Sequence, residues 1–153
     1  MREQHPSVEL RIAGVTAGQL GEVPQGVSPL GFVSPFEMDE LYAGARVFIH
    51  AGKTAPDGDS DGLPNVLLEA LTAGVPVAST DAGAVRDIVE HRLTGLLVPE
   101  RDPVALASAV TELLENEGLR AKLAANGRDR VLERHDPGKC AKELAEVLCP
   151  SDL

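Results

Sequence analysis

Along the chain, short stretches with the apolar period of a strand give way repeatedly to stretches with the period of a helix. Residues 8–14, Val-Glu-Leu-Arg-Ile-Ala-Gly, alternate as a strand does and stop on glycine. The Gly/Pro-rich link that follows, to about residue 28, is too broken to predict a helix, and residues 29–33 read as a second short strand. Ser34-Pro35 predicts a helix start, with Glu37 in the capping-box position and Met38, Leu41, Tyr42 and Ala45 at helical spacing. Residues 46–50 form a third strand. An acidic, glycine-rich loop then turns into a helical pattern whose apolar face is Leu67, Leu68 and Leu71. Pro64 suits its first turn and Gly74 its C-terminal stop.

Strands over residues 75–79 and 95–98 flank a turn at 81–83 and a short helix over 84–90. The remainder is helical. Asp102 caps a helix with Pro103 in its first turn and Val104, Ala107, Val110 and Leu114 on one face. Gly118 or its neighbours break the pattern, a second helix covers 119–134, and Asp136-Pro137 opens a last one to about 148. Strands alternating with helices predict an α/β fold, a Rossmann-like parallel sheet flanked by helices, as a single domain over residues 1–150.

Composition agrees with a buried parallel sheet: no Trp, one Tyr and three Phe leave aliphatic residues and alanine to build the core. Fourteen basic against twenty-four acidic residues give a net charge of −10, which argues against nucleic acid as a partner. Cys140 and Cys149, if on one helix, stand too far apart to bridge at about 1.5 Å rise per residue. A reducing, cytoplasmic setting is expected. The first residues lack an apolar signal core, and no apolar run approaches the ~20 residues of a membrane span.

In open α/β sheets ligands gather beyond the carboxyl ends of the strands. The acidic loop leaves such an end, and the helix it opens offers backbone N–H groups and a positive dipole end to a phosphate. On periodicity alone the same stretch reads as an ordinary capped helix under an acidic loop. His50, at a strand end facing that edge, reads either as a ligand contact or as a satisfied structural histidine. Asp57, Asp59 and Asp61 open like a calcium loop, but Leu68 occupies the place of the closing glutamate and Pro64 interrupts the carbonyl-ligand region. No metal is expected, and no Ser/His/Asp or zinc spacing stands out.

Read together, these pieces resemble the C-terminal domain of the glycosyltransferase group 1 family, the retaining family 4 enzymes of GT-B fold, and exopolysaccharide-synthesis members in particular. Two carboxylates separated by seven residues carry the likeness, in Asp61-Gly62-Leu63-Pro64-Asn65-Val66-Leu67-Leu68-Glu69-Ala70. Gly74-Val75-Pro76-Val77, Thr80-Asp81-Ala82-Gly83 and Thr94-Gly95-Leu96-Leu97-Val98-Pro99 follow in the family's order. The resemblance implies the donor-binding half of a retaining glycosyltransferase that moves a sugar from a nucleotide-diphosphate sugar to a glycan or lipid-linked acceptor. Glu69 would then accept hydrogen bonds from the donor's ribose. Backbone amides at Gly62, Leu63, Asn65 and Val66 would face phosphate and sugar. Asp61 would stand near the anomeric carbon and steady an oxocarbenium-like transition state. The leaving phosphate would take the acceptor proton, so no protein nucleophile is implied.

Two departures from the family pattern matter. Asp61 replaces the usual glutamate, and a carboxylate set back by about 1 Å can cost on the order of a hundredfold in rate. The family's donor-phosphate Arg and Lys, and its acceptor domain, lie upstream of the matched segment and are expected to be missing here; Arg11 and Lys53 are poor substitutes. The second expectation is therefore a non-catalytic nucleotide-sugar-binding or interaction module, as a split-enzyme subunit or remnant. An acceptor-binding domain or subunit would be its partner. Weak self-association is also expected, through apolar surface on the last helix and the cleft edge.

Overall fold

The central structural feature is a strand buried on both faces. In the computed structural model, which describes residues 7–55, 57 and 62–148, every residue of the Val77–Thr80 strand is buried. Val77 and Ala78 suit the interior of a parallel sheet, and the buried hydroxyls of Ser79 and Thr80 each donate to a backbone carbonyl. The chain divides into two units, Met1–Gly44 and Ala45–Leu153, and the five strands among the described residues fall into two parallel sheets, one in each unit.

In the first unit β1 (Leu10–Ala13) pairs in parallel with β2 (Val27–Gly31). A one-turn helix α1 (Ala17–Leu20) joins them, where the sequence reading expected no helix. It forms because the Gln19 side chain accepts from both the N–H and the hydroxyl of Thr16, each at 2.9 Å. Four residues are too few to leave an apolar period. Helix α2 (Pro35–Gly44) has the expected capping box: Glu37 accepts from the N–H of Ser34 at 2.8 Å and from its hydroxyl at 2.6 Å.

In the second unit β3 (Phe48–His50), β4 (Val77–Thr80) and β5 (Leu96–Val98) form a parallel sheet with β4 in the middle. The intervening helices are α3 (Asn65–Thr72) and α4 (Val85–Ile88), and α5 (Pro103–Glu115), α6 (Glu117–Arg134) and α7 (Pro137–Leu148) complete the chain. Leu67 and Leu71 of α3, Val77 of β4, Ile88 of α4, Leu96 of β5, Leu113 of α5 and Leu123 of α6 are at most 1% exposed and make the core. Asp102 caps α5 by accepting from Ala105 N–H at 2.8 Å, and Asp136 accepts from Lys139 N–H at 2.7 Å.

Several boundaries differ in detail from the sequence reading, β2 at Val27–Gly31 against 29–33 and α4 at Val85–Ile88 against 84–90 among them, and two have a clear local cause. Asn116 ends α5 and caps α6, its side chain accepting from Leu119 N–H at 2.9 Å, so Gly118 lies inside α6. Pro64 is the N-cap of α3 and not its first helical residue: its φ of −73° suits either place, but its ψ of 101° is extended. The end of α3 is as expected. Gly74 takes a φ of 75°, Val75 N–H donates to Ala70 O and Gly74 N–H to Leu71 O, each at 2.9 Å, a Schellman close that needs glycine.

Gly127 sets how closely α6 lies on α3. A Cβ there would stand 2.5 Å from Leu71 Cδ2 and 3.1 Å from the Thr94 carbonyl oxygen. Urea denaturation is expected to show Gly127→Val less stable by about 1–3 kcal/mol from overpacking. Gly118→Ala, which meets nothing nearer than Asn116 Oδ1 at 3.7 Å, is expected to gain up to about 1 kcal/mol from helix propensity.

Candidate functional site

Because β3, β4 and β5 run parallel, their carboxyl ends share one edge, and the loops after His50, Thr80 and Val98 all leave from it. The loop after β3 ends in the opening turn of α3. There, helical spacing separates two faces: Leu67, Ala70 and Leu71 are buried, while Asn65, Val66 and Glu69 are exposed on the other side. Gly62 and Leu63 just before them are exposed too, and Pro64 is buried.

Pro64, the N-cap of α3, makes no side-chain cap hydrogen bond, because its ring carries no acceptor; its carbonyl accepts from Leu67 N–H at 2.9 Å. A helix N-terminus of this kind presents a positive dipole end to an anion. Two apolar residues stand open beside it, Leu63 at 42% and Val66 at 39% exposure. Of the residues that the sequence assigned to donor binding, Gly62, Leu63, Asn65, Val66 and Glu69 are thus brought together. Asp61, the residue read as catalytic, lies outside the described residues, as does Asp59 of the calcium-like run. Among the described residues no group of three or more His, Cys, Asp or Glu is placed to hold a metal ion.

The loop after β3 is tied down by the neighbouring strands. Thr80 at the end of β4 donates its hydroxyl to Gly52 O at 2.6 Å. Glu100, just after β5, accepts from Thr54 N–H and from the Thr54 hydroxyl, both at 2.7 Å, and Arg101 Nη2 donates to Thr54 O at 3.1 Å. Arg101 adopts a left-handed φ of 61° at this turn. Sequence reading missed Thr54, Thr80, Glu100 and Arg101 as parts of the site. The recognised motif ended at Pro99, and nothing local marks a contact across forty-six positions.

His50 lies against Gly52, where a Cβ would stand 2.7 Å from its Cε1. The Ser79 hydroxyl donates to Thr80 O at 2.9 Å, which leaves its oxygen to accept from His50 Nδ1 at 3.1 Å. Of the two cations considered from sequence, Arg11 Nε pairs with Glu9 at 2.9 Å, and Lys53 is exposed on the loop. Beyond β4, Asp81 pairs with Arg86 through two hydrogen bonds. A cleft of about 420 Å³ opens there between Asp81, Arg86, Glu90, His91 and Leu97, and none of the donor-assigned residues lines it.

Parallel strands, crossover helices and a helix start at the carboxyl edge define a Rossmann-like α/β fold, the kind that forms one half of a GT-B enzyme. Residues 1–130 match the family described as Glycosyl transferases group 1, and the chain belongs to that family. It is 30% identical over 128 residues to the amylovoran biosynthesis glycosyltransferase AmsK of Erwinia amylovora, covering 84% of this chain and 31% of that one. It is 35% identical over 131 residues to a Mycobacterium tuberculosis GDP-mannose-dependent alpha-(1-6)-phosphatidylinositol monomannoside mannosyltransferase, covering 85% of this chain and 34% of that one. The crystal structure of Anabaena HepE in complex with UDP superimposes with a TM-score of 0.80 at 25% identity, over 94% of this chain and 41% of HepE. The chain spans about a third of the length of the curated relatives it matches.

The Thr54 N–H and then its hydroxyl hold the Glu100 carboxyl below the usual carboxylate range. A folded pKa depressed in this way means the contact stabilises above the unfolded value and is lost as pH falls through the folded one. The Thr54 amide resonance is therefore expected to hold steady down to about pH 4.3, the ordinary glutamate value, and to move only below it. An NMR pH titration checks this.

Proposed function

We propose that residues 1–150 act as the donor-binding half of a retaining glycosyltransferase, taking a sugar from a nucleotide-diphosphate sugar for transfer to a glycan or lipid-linked acceptor. The observation that carries this reading is the opening of α3, where Gly62, Leu63, Asn65 and Val66 lie exposed at the helix start and Glu69 shares their face. The diphosphate would lie on the helix N-terminus, where N–H groups and dipole replace part of the charge that a cation would supply. Glu69 would accept hydrogen bonds from the two ribose hydroxyls, and its charge makes those bonds stronger than neutral ones. Exposed Leu63 and Val66 would cover the apolar faces of the ligand.

Asp61 would stand beside the anomeric carbon and stabilise positive charge that develops as the bond to the leaving phosphate lengthens. In a retaining transfer without a protein nucleophile, the departing phosphate oxygen takes the proton of the attacking hydroxyl on the same face. The acceptor would be bound by a further domain or subunit. Support for a nucleotide-sugar donor comes from HepE, solved with UDP and with UDP-glucose, and from the GDP-mannose-dependent relative. Amylovoran and colanic acid biosynthesis among the relatives favours a polysaccharide as the product.

Isothermal titration of the chain with UDP, UDP-glucose, GDP and GDP-mannose tests the reading. One base is expected to bind in preference to the other. Glu69→Ala, an exposed change that spares the core, is expected to weaken that ligand by about ten- to a hundredfold through loss of two charge-assisted hydrogen bonds. No binding at millimolar nucleotide, or equal binding by Glu69→Ala, would contradict it.

A further inference from the structure

The cleft beyond β4 takes no part in the donor site, and its lining follows from how little chain separates β4 from β5. Helix α4 has only four residues; its Val85 and Ile88 are buried, and Val89 is buried with them. Arg86, Glu90 and His91 are left exposed beside the ends of the two strands. Asp81 N–H donates to Val98 O at 2.8 Å, and His91 Nδ1 accepts from Leu97 N–H at 3.0 Å, so both sides of the cleft are fixed on β5. With Leu97 and Pro99 these residues bound about 420 Å³, a size within the roughly 300–1,000 Å³ of small-molecule sites.

The charges of this lining are balanced. Arg86 donates to the Asp81 carboxylate from Nε at 2.6 Å and from Nη2, and Arg130 Nη1 donates to Glu90 at 2.7 Å. An imidazole that accepts at Nδ1 is neutral and carries its proton on Nε2, so His91 adds a donor and no charge. Nothing in the lining therefore favours an ionic ligand, yet hydrogen-bonding capacity remains. A carboxylate has further lone pairs, and an arginine that gives Nε and Nη2 to one partner keeps Nη1 to donate. The hydrogen bonds from Arg86 also hold the Asp81 carboxyl below the usual carboxylate range, which keeps it an acceptor. Donors and acceptors side by side, next to the aliphatic Leu97 and Pro99, match a neutral polyhydroxylated ring, whose hydroxyls both give and take and whose C–H face is apolar. From this geometry we infer that the cleft is a saccharide-binding site, which holds a sugar unit of the acceptor glycan away from its reacting hydroxyl. The acceptor role rests on the function proposed above. Asp81 and Pro99 directly follow β4 and β5, so the cleft opens at the same carboxyl edge as α3 and in the same unit. The reacting end of the acceptor would still be held by a further domain or subunit.

The test records amide and arginine side-chain NMR shifts of the isotope-labelled chain with methyl α-glucoside, methyl α-mannoside and maltose, and separately with UDP and GDP. At least one saccharide is expected to saturate with a Kd of about 1–10 mM, moving Arg86 Nε–H and the His91 and Leu97 amides but not those of Asn65 and Val66. Arg86→Ala removes an exposed side chain, and its thermal midpoint is expected to equal that of the wild type. His91→Asn keeps an acceptor for Leu97 N–H and loses the Nε2 donor. Each variant is expected to bind the saccharide about three- to tenfold more weakly. Shifts that stay linear to about 100 mM, or equal binding by both variants, would overturn the saccharide site. Saccharide shifts confined to Asn65 and Val66 would overturn it in favour of the opening of α3. Nucleotide binding with no saccharide binding would overturn the inference and leave the donor site standing. Saccharide binding in the cleft with no nucleotide binding would uphold the saccharide site and overturn the acceptor role together with the donor reading.

Discussion

The burial of one face of α3 is the constraint on which the rest depends. Leu67, Ala70 and Leu71 are fully removed from solvent, and Gly127 lets α6 approach closely enough to seal them. Burial of two leucines and an alanine contributes several kcal/mol at about 25 cal/mol per Å², far more than any single polar contact at the opposite face. With that face anchored, helical geometry leaves Asn65, Val66 and Glu69 no place but the outer side. The exposed face is in this sense a by-product of the core, oriented by the packing beneath it.

Parallel topology supplies the second element. Pairing β3 with β4 and β4 with β5 in parallel brings three loops to one edge without any of them needing to be long or ordered by itself. Each loop can then brace its neighbour: Thr80 holds Gly52, Glu100 and Arg101 hold Thr54, and Asp81 N–H donates to Val98 O at 2.8 Å. The Thr80 and Asp81 contacts use a short side chain or the backbone, which order a loop at less entropic cost than the long side chains of Glu100 and Arg101. The exposed Arg86–Asp81 pair belongs to the weaker kind.

What the sequence made legible was local. The caps at Ser34, Asp102 and Asp136 and the glycine close at Gly74 each depend on residues within a turn of one another and are found where they were read, while the apolar face of α3 keeps Leu67 and Leu71 but buries Ala70 in place of the half-buried Leu68. The strand-to-helix alternation and the long motif around Glu69 were enough for the fold and the family. Illegible were the features decided by short or distant contacts. The one-turn helix at Thr16 is held by a single side chain, and Pro64 suits two adjacent helix positions equally by its φ. Asn116 outcompeted Gly118 because a side-chain acceptor ends one helix and starts the next. Glu100 lay beyond the recognised motif, its partner fixed only when β3, β4 and β5 pair.

The central claim, that the opening of α3 is where a nucleotide-sugar donor binds, is most directly tested by mapping amide shifts of the isotope-labelled chain on addition of UDP and of GDP. The account predicts that one of them produces its largest changes at Gly62, Leu63, Asn65 and Val66, with Glu69 following. Changes confined to the cleft between Asp81, Arg86 and His91, or none at millimolar nucleotide, would contradict it.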